Sequence, residues 1–289
     1  MRRLTLTALV AATLAAMAPA TASAARPAQS IGTAIPAPTV ITTRIDGVPM
    51  SETYDGGGGL PYLGSARSYN AGDWEPVLRE YHDTGVYQAQ ILKVDALADR
   101  WVRHAARRHR GHGGQGRHRG HGRDRGLGPG QARPARRHGG ARSLALVLDI
   151  DETSLSNYTA IAADDFTYGP ASQAEATDQV GTAIDSTLQL FNDAKAAGVA
   201  VFFVTGRPEA QRQDTTENLQ REGYSGWKQL YLKPAGTTAT TVAYKTGART
   251  DIESQGYRIV ANVGDQYSDL AGSHARRAFK LANPFYFLP

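Results

Sequence analysis

The chain has 289 residues, 41% hydrophobic and 20% charged, with no cysteine and a formal charge of +5. That length suits one large α/β domain or two small ones. The missing thiols exclude a disulfide framework, thiol catalysis, Cys-ligated zinc or iron–sulfur sites and a lipid anchor on cysteine. Residues 103–142 hold 12 Arg and one Asp, and removing that +11 leaves −6 elsewhere, so the basic total is no argument for nucleic-acid binding.

Arg2 and Arg3 precede an apolar stretch from Leu4 to about Met17, and the segment closes past Pro19 on Ala22-Ser23-Ala24. A charged start, a short apolar middle and small residues at the cut site predict a secretory signal peptide over 1–24. The apolar run falls short of the roughly 20 residues of a membrane span. Cleavage after Ala24 would release a secreted chain without a membrane anchor, and Arg2-Arg3 also admits a twin-arginine route. Residues 25–59, rich in Pro, Thr, Ala and Gly and ending in Gly56-Gly57-Gly58-Gly59, read as an extended, poorly ordered lead-in. A helical extension is predicted over 60–102. Trp74, Val77, Leu78 and Tyr81 form one apolar stripe, and Val86, Ile91, Val94, Leu97, Ala98 and Trp101 a second.

The helical pattern stops at Val102. Residues 103–142 contain 11 Gly and 6 of the 8 His, with only Leu127 among the larger aliphatics. Such a tract cannot bury enough apolar surface to fold by itself. It reads as a disordered basic insert, a His-rich metal binder without fixed ligand spacing, or GC-rich coding DNA translated in a shifted frame. Ordinary patterning on both sides favours the last, since two compensating indels would leave it intact.

From residue 143 to 289 the pattern becomes regular. Leu144–Leu148, Val199–Val204, Gln229–Leu232, Tyr257–Val263 and Ala278–Leu281 read as strands. Ala183–Ala197, Pro208–Glu222 and Thr240–Gln255 read as helices, the second opening with Pro in its first turn. Strands alternating with helices predict an α/β fold with a doubly wound parallel sheet, Rossmann-like and three-layered. In such sheets ligands bind beyond the carboxyl ends of the strands. Those ends carry Asp149-Ile150-Asp151-Glu152-Thr153, Thr205-Gly206-Arg207 and Gly264-Asp265-Gln266-Tyr267-Ser268-Asp269.

Asp149, Asp151, Asp265 and Asp269, brought with the Thr205 hydroxyl to one edge, need a cation to offset their repulsion. Oxygen ligands without Cys or His point to a hard ion, with Mg²⁺ the natural choice. A metal there suits a phosphate ester, and a lysine is wanted to balance its charge, either Lys245 or Lys233. An EF-hand loop is excluded because Ser154 and Ala160 stand where it needs Gly and Glu.

LVLDIDETSLSNY at 146–158, VFFVTGRPE at 201–209, YKTGAR at 244–249, NVGDQYSDL at 262–270 and KLANPFYFLP at 280–289 together resemble the haloacid dehalogenase superfamily. More narrowly, they resemble its secreted acid phosphatase branch, which includes class B and lipoprotein e phosphatases and plant acid phosphatases and vegetative storage proteins. The resemblance implies a secreted phosphomonoesterase, with Asp149 as nucleophile and Asp151 as acid/base for the leaving alcohol and then for water. It implies that Thr205 and Gly206 hold phosphate and that Lys245, rather than Lys233, is the catalytic cation. As Mg²⁺ ligands it implies Asp149, the Asp151 carbonyl, Asp265 and, through second-sphere or water contact, Asp269. Two-residue spacing on a strand puts Asp149 and Asp151 on one side.

The 54 residues from Asp151 to Thr205 leave room only for a small cap, so varied small phosphomonoesters are expected, without nucleic-acid or membrane partners. Asp164-Asp165 reads as a solvated loop, with Phe166 and Tyr168 as packing or entrance residues. Arg207 and Arg249 read as partners of acidic neighbours, or as phosphate ligands. A 5′-nucleotidase is a refinement within this chemistry. Two other classes stay open: an idle storage protein on the same fold, which Asp149 argues against, and a surface binder acting through the Arg/His tract.

Overall fold

A computed structural model describes residues 38–54, 74–114, 142–167, 169, 171 and 180–287. The expected signal peptide, the lead-in up to residue 37 and from 55 to 59, residues 115–141 of the tract, and Tyr168 lie outside the described residues. Among the described residues no helix is long and apolar enough to cross a membrane.

Seven strands form the main sheet: β1 (Thr39–Ile45), β2 (Val48–Tyr54), β3 (Ser143–Leu148), β6 (Ala200–Pro208), β7 (Gln229–Lys233), β8 (Tyr257–Gly264) and β9 (Ala278–Lys280). Their order is β1-β2-β9-β8-β3-β6-β7, parallel from β2 to β7 with β1 antiparallel at the edge. A two-stranded antiparallel sheet, β4 (Leu155–Ser156) with β5 (Thr182–Ala183), stands apart. The helices are α1 (Glu75–Asp83), α2 (Val86–Gly114), α3 (Tyr158–Ala163), α4 (Asp185–Ala196), α5 (Arg212–Arg221), α6 (Thr241–Ser254) and α7 (Tyr267–Leu270).

Period-two alternation in β3 makes the layers. Leu144, Leu146 and Leu148 point to one face, where they share a core with Val94 and Ala98 of α2 and Leu190 and Phe191 of α4. Ala145 and Val147 point to the other, against Ala248 and Ile252 of α6. Both faces of β3 are therefore covered, which is why its sequence is an unbroken apolar run. The three-layer α/β/α expectation holds, and the main-sheet strands from 143 onward lie where the pattern put them, whereas β4 and β5 were not expected and Ala183 was read as helix.

Three differences stand out. Residues 39–54, read as part of a lead-in, form a hairpin that joins the main sheet through β2 and β9. Its turn is Asp46-Gly47 with φ of 46° and 81°, the left-handed pair a tight hairpin needs. Helix α2 does not stop at Val102 but runs on to Gly114. The four-residue spacing of Val94, Ala98, Val102 and Ala106 keeps one buried stripe continuous, and Arg103 pairs with Asp99 and, at 3.5 Å, Asp193. Composition placed the boundary at 103; packing carries the buried face on to Ala106, and the helix itself ends 12 residues into the tract. Finally, β6 continues through Pro208, and a 3₁₀ turn over Glu209–Gln211 delays α5 to Arg212.

Asp95 of α2 is buried against the first turn of α4. One carboxylate oxygen accepts from Ser186 Oγ (2.6 Å) and Thr187 Oγ1 (2.9 Å), and the other has no partner. Burial pushes its pKa up to about 7 in spite of those hydroxyls. The folded state therefore holds this proton where the unfolded chain loses it. Through this group alone, stability should fall as pH rises from about 4 to about 7, by an amount on the order of 4 kcal/mol. Thermal melts across that window should show Asp95→Asn with a flatter pH dependence and a higher melting temperature at neutral pH. An unchanged slope in the variant would clear Asp95 of the effect.

Candidate active site

Parallel register lines up the ends of β8, β3 and β6. Leu148 pairs with Val263 on one side and Phe203 on the other, and Asp149 N donates to the Val263 carbonyl at 3.0 Å. Asp149 thus leaves β3 level with Gly264 of β8, one residue before Asp265. The chain then turns tightly: the Ile150 carbonyl accepts from the amides of Thr153, Ser154 and Leu155. Ser154 Oγ donates to the Asp149 carbonyl at 2.6 Å.

Asp149, Asp265 and Asp269 are all buried, and each offers an oxygen within 4.8 Å of the others. Lys245, on α6 and equally buried, donates to Asp149 Oδ1 at 2.5 Å and Asp269 Oδ1 at 2.6 Å. Asp265 accepts from Thr153 Oγ1 (3.0 Å), Gln266 Nε2 (2.8 Å) and Asn283 Nδ2 (2.8 Å). Gly264 makes this closeness possible, because a Cβ there would lie 2.5 Å from the Asp269 Cβ.

Burial, then the neighbouring Asp269, pushes the Asp149 pKa well up against the pull of Lys245. The same two causes raise Asp265 to about 6. Burial works against the Lys245 charge, but Asp149 and Asp269 more than offset it and raise its pKa. Three buried carboxylates, with the Lys245 ammonium among them and Lys280 acting from further off, still leave negative charge uncompensated, and the donors are all oxygen. That donor set fits a hard divalent cation.

Asp151 does not join this trio through its side chain. Its Oδ1 accepts from Arg207 Nη2 at 2.6 Å and Asn157 Nδ2 at 2.8 Å, and Arg207 Nε reaches both oxygens at 3.1 Å. Burial alone would raise its pKa, but Arg207, Asn157 and the more distant Lys245 outweigh that and lower it. The acidic neighbour expected for Arg207 is thus the expected acid/base itself. Thr205 is fully buried one strand away, where its Oγ1 accepts from the Arg207 amide at 3.1 Å. Gly206 is exposed with open space where a side chain would stand. The side chain of Lys233, at the end of edge strand β7, makes no hydrogen bond or ion pair with a described residue.

The remaining expectations are met in part. Arg249 binds no carboxylate; it donates to main-chain carbonyls. Asp164 is tied down by the amides of Gly169 and Ala171, and Asp165 pairs with Arg79. Phe166 is packing, buried against Phe285. His82, which carries no motif, stacks on Tyr158 with ring centroids 3.4 Å apart.

Sequence reasoning missed Glu152 and Asn157. Glu152 is fully buried with φ of 51°, and burial pushes its pKa up to about 8. It accepts from Asn157 N at 2.6 Å and from Tyr87 OH at 3.0 Å, tying α2 to the loop that carries Asp151. An acidic residue directly after Asp-x-Asp was the available signal.

The model of a family described as HAD superfamily, subfamily IIIB (acid phosphatase), matches residues 131–289. Acid phosphatase 1 of Solanum lycopersicum is 40% identical over 156 residues, 49% of this chain and 58% of that protein. Vegetative storage protein 1 of Arabidopsis thaliana is 33% identical over 150 residues, 50% of this chain and 55% of that protein. The chain thus spans little more than half the length of these relatives. The class C acid phosphatase from Bacillus anthracis shares the fold, with a TM-score of 0.50 at 16% identity over 75% of this chain and 86% of that one.

Proposed function

This chain belongs to subfamily IIIB of the HAD superfamily, the acid phosphatases, and from that membership and its buried acidic cluster we propose that it is an exported, Mg²⁺-dependent phosphomonoesterase. The observation that carries the reading is the meeting of Asp149, Asp265, Asp269 and Lys245, from the ends of β3 and β8 and from α7 and α6, at the carboxyl edge of one sheet. Export rests on the leader-like residues 1–24.

Asp149, Asp265, Asp269 and the Asp151 carbonyl would hold the ion, which supplies positive charge to the phosphate oxygens when bound. In the first half-reaction an Asp149 oxygen attacks phosphorus. The phosphorus–alcohol bond breaks, and Asp151 passes to the departing oxygen a proton that it takes up from solvent when the ester binds. In the second half Asp151 takes a proton from water as that water attacks the aspartyl phosphate. Inorganic phosphate leaves and the Asp149 carboxylate is restored. Arg207 and Asn157 hold Asp151 as the carboxylate in the free protein, the form that serves the second half. Thr205 Oγ1, the Lys245 ammonium and the backbone amide of Gly206 receive the phosphate oxygens.

Hydrolysis of p-nitrophenyl phosphate by the purified protein, with Mg²⁺ and after chelation, tests the reading. Turnover that needs Mg²⁺ is expected. A folded protein that binds Mg²⁺ yet never turns over would instead favour an idle scaffold, the reading that the likeness to a vegetative storage protein raises. Turnover indifferent to chelation would remove the metal. Nucleotides and other monoesters assayed in parallel would define the substrate.

A further inference from the structure

Helix α6 presents Lys245 and Arg249 one turn apart, on the same face. Both reach one residue. Lys245 Nζ donates to the Asp269 carboxylate at 2.6 Å, and Arg249 Nη1 donates to the Asp269 main-chain carbonyl, also at 2.6 Å. The same guanidinium donates to the carbonyls of Ala271 and, at 3.2 Å, Ser273, and to Thr246 Oγ1 at 3.3 Å. Those carbonyls belong to the end of α7 and the loop beyond it, which no further helical turn satisfies.

Arg249 is fully buried and none of these partners is a carboxylate. Burying a charge against neutral dipoles alone is unfavourable. Burial accordingly lowers its pKa to about 10, against the pull of Asp269 and Asp46. The segment it holds is itself irregular: Gly272, Ser273 and His274 all have positive φ, of 84°, 63° and 65°. Asn262 Nδ2 adds a second donor to the Asp269 carbonyl at 3.0 Å. Two buried donors on one carbonyl are more than packing requires; they fix where the Asp269 side chain starts.

We propose that Arg249 is a positioning residue for the cation site: it pins the Asp269 backbone while Lys245 pins its carboxylate, and the pair sets the distance from Asp269 to Asp149 and Asp265. The inference rests on the reading of that trio as a divalent-cation site. A planar fork reaching several carbonyls is a task that lysine, with one point charge, cannot reproduce.

The test is the Mg²⁺ concentration that gives half of the maximal rise in melting temperature, measured without substrate on the full chain. Arg249→Lys is expected to raise that midpoint about tenfold or more, the usual effect of losing an outer-sphere support. Turnover of p-nitrophenyl phosphate should largely return at saturating Mg²⁺. A lower melting temperature with an unshifted Mg²⁺ midpoint would show a merely structural arginine and overturn the proposal. Should Arg249→Lys not fold, Asn262→Ala removes a different donor from the same carbonyl; a raised midpoint is expected there, and an unchanged one overturns the proposal. Wild-type protein with no Mg²⁺-dependent stabilisation would overturn the cation reading itself, and the clamp with it.

Discussion

Asp149→Asn is expected to lower turnover of p-nitrophenyl phosphate by at least about 10⁴-fold, because an amide cannot attack phosphorus and no second carboxylate takes its place. Asp151 is held by Arg207 and Asn157, and Asp265 by Thr153, Gln266 and Asn283, so neither is free to swing in as a substitute. The fold should survive. Burial and Asp269 already push Asp149 towards its neutral form, so a neutral amide relieves repulsion, while Lys245 keeps Asp269 as partner. A melting temperature near or above wild type without Mg²⁺, together with lost turnover, is the expected signature. Turnover kept within a few-fold of wild type by folded Asp149→Asn would exclude the nucleophile and the covalent route.

Lys245→Met should lower kcat/KM by about 10²–10³-fold, the usual effect of losing one group that meets developing charge. Its ammonium lies 2.5 Å from Asp149 and 2.6 Å from Asp269, and methionine fills the same space without charge. Lys233→Ala, in contrast, should stay close to wild type. Lys233 ends β7, an edge strand separated from β3 by β6, which puts it roughly 10 Å away across the sheet. Steady-state kinetics on both variants decide the matter, and a large loss in Lys233→Ala with little in Lys245→Met would reverse the assignment.

The strands behind the site were legible because each is an apolar run ending on a charged or small polar residue. Leu144–Leu148 before Asp149 and Tyr257–Val263 before Gly264-Asp265 need no partner to be recognised as buried strands. The hairpin over 39–54 carried its own signal in Asp46-Gly47, which the Pro- and Gly-rich surroundings obscured. Helix α2 was cut short because composition changes at 103 while the buried face runs on through Ala106. Arg207 and Arg249 were visible as residues but not as roles. A long side chain can end on a carboxylate, a phosphate or a carbonyl, and strand order alone does not say which.

The sequence by itself determined the element order, the covered parallel sheet and the set of acidic residues delivered to its carboxyl edge. These follow from local hydrophobic period and from which residues end each strand, and both are written along the chain. Tertiary structure alone decided how that edge is wired: Asp151 turned to Arg207, Lys245 placed between Asp149 and Asp269, and Arg249 spent on the backbone of Asp269. Those pairings join residues 20 to 96 positions apart, and they depend on strand register and helix rotation to within an ångström or two. Hydrogen bonds and ion pairs reward only such distances, so no pattern in the chain could have fixed them.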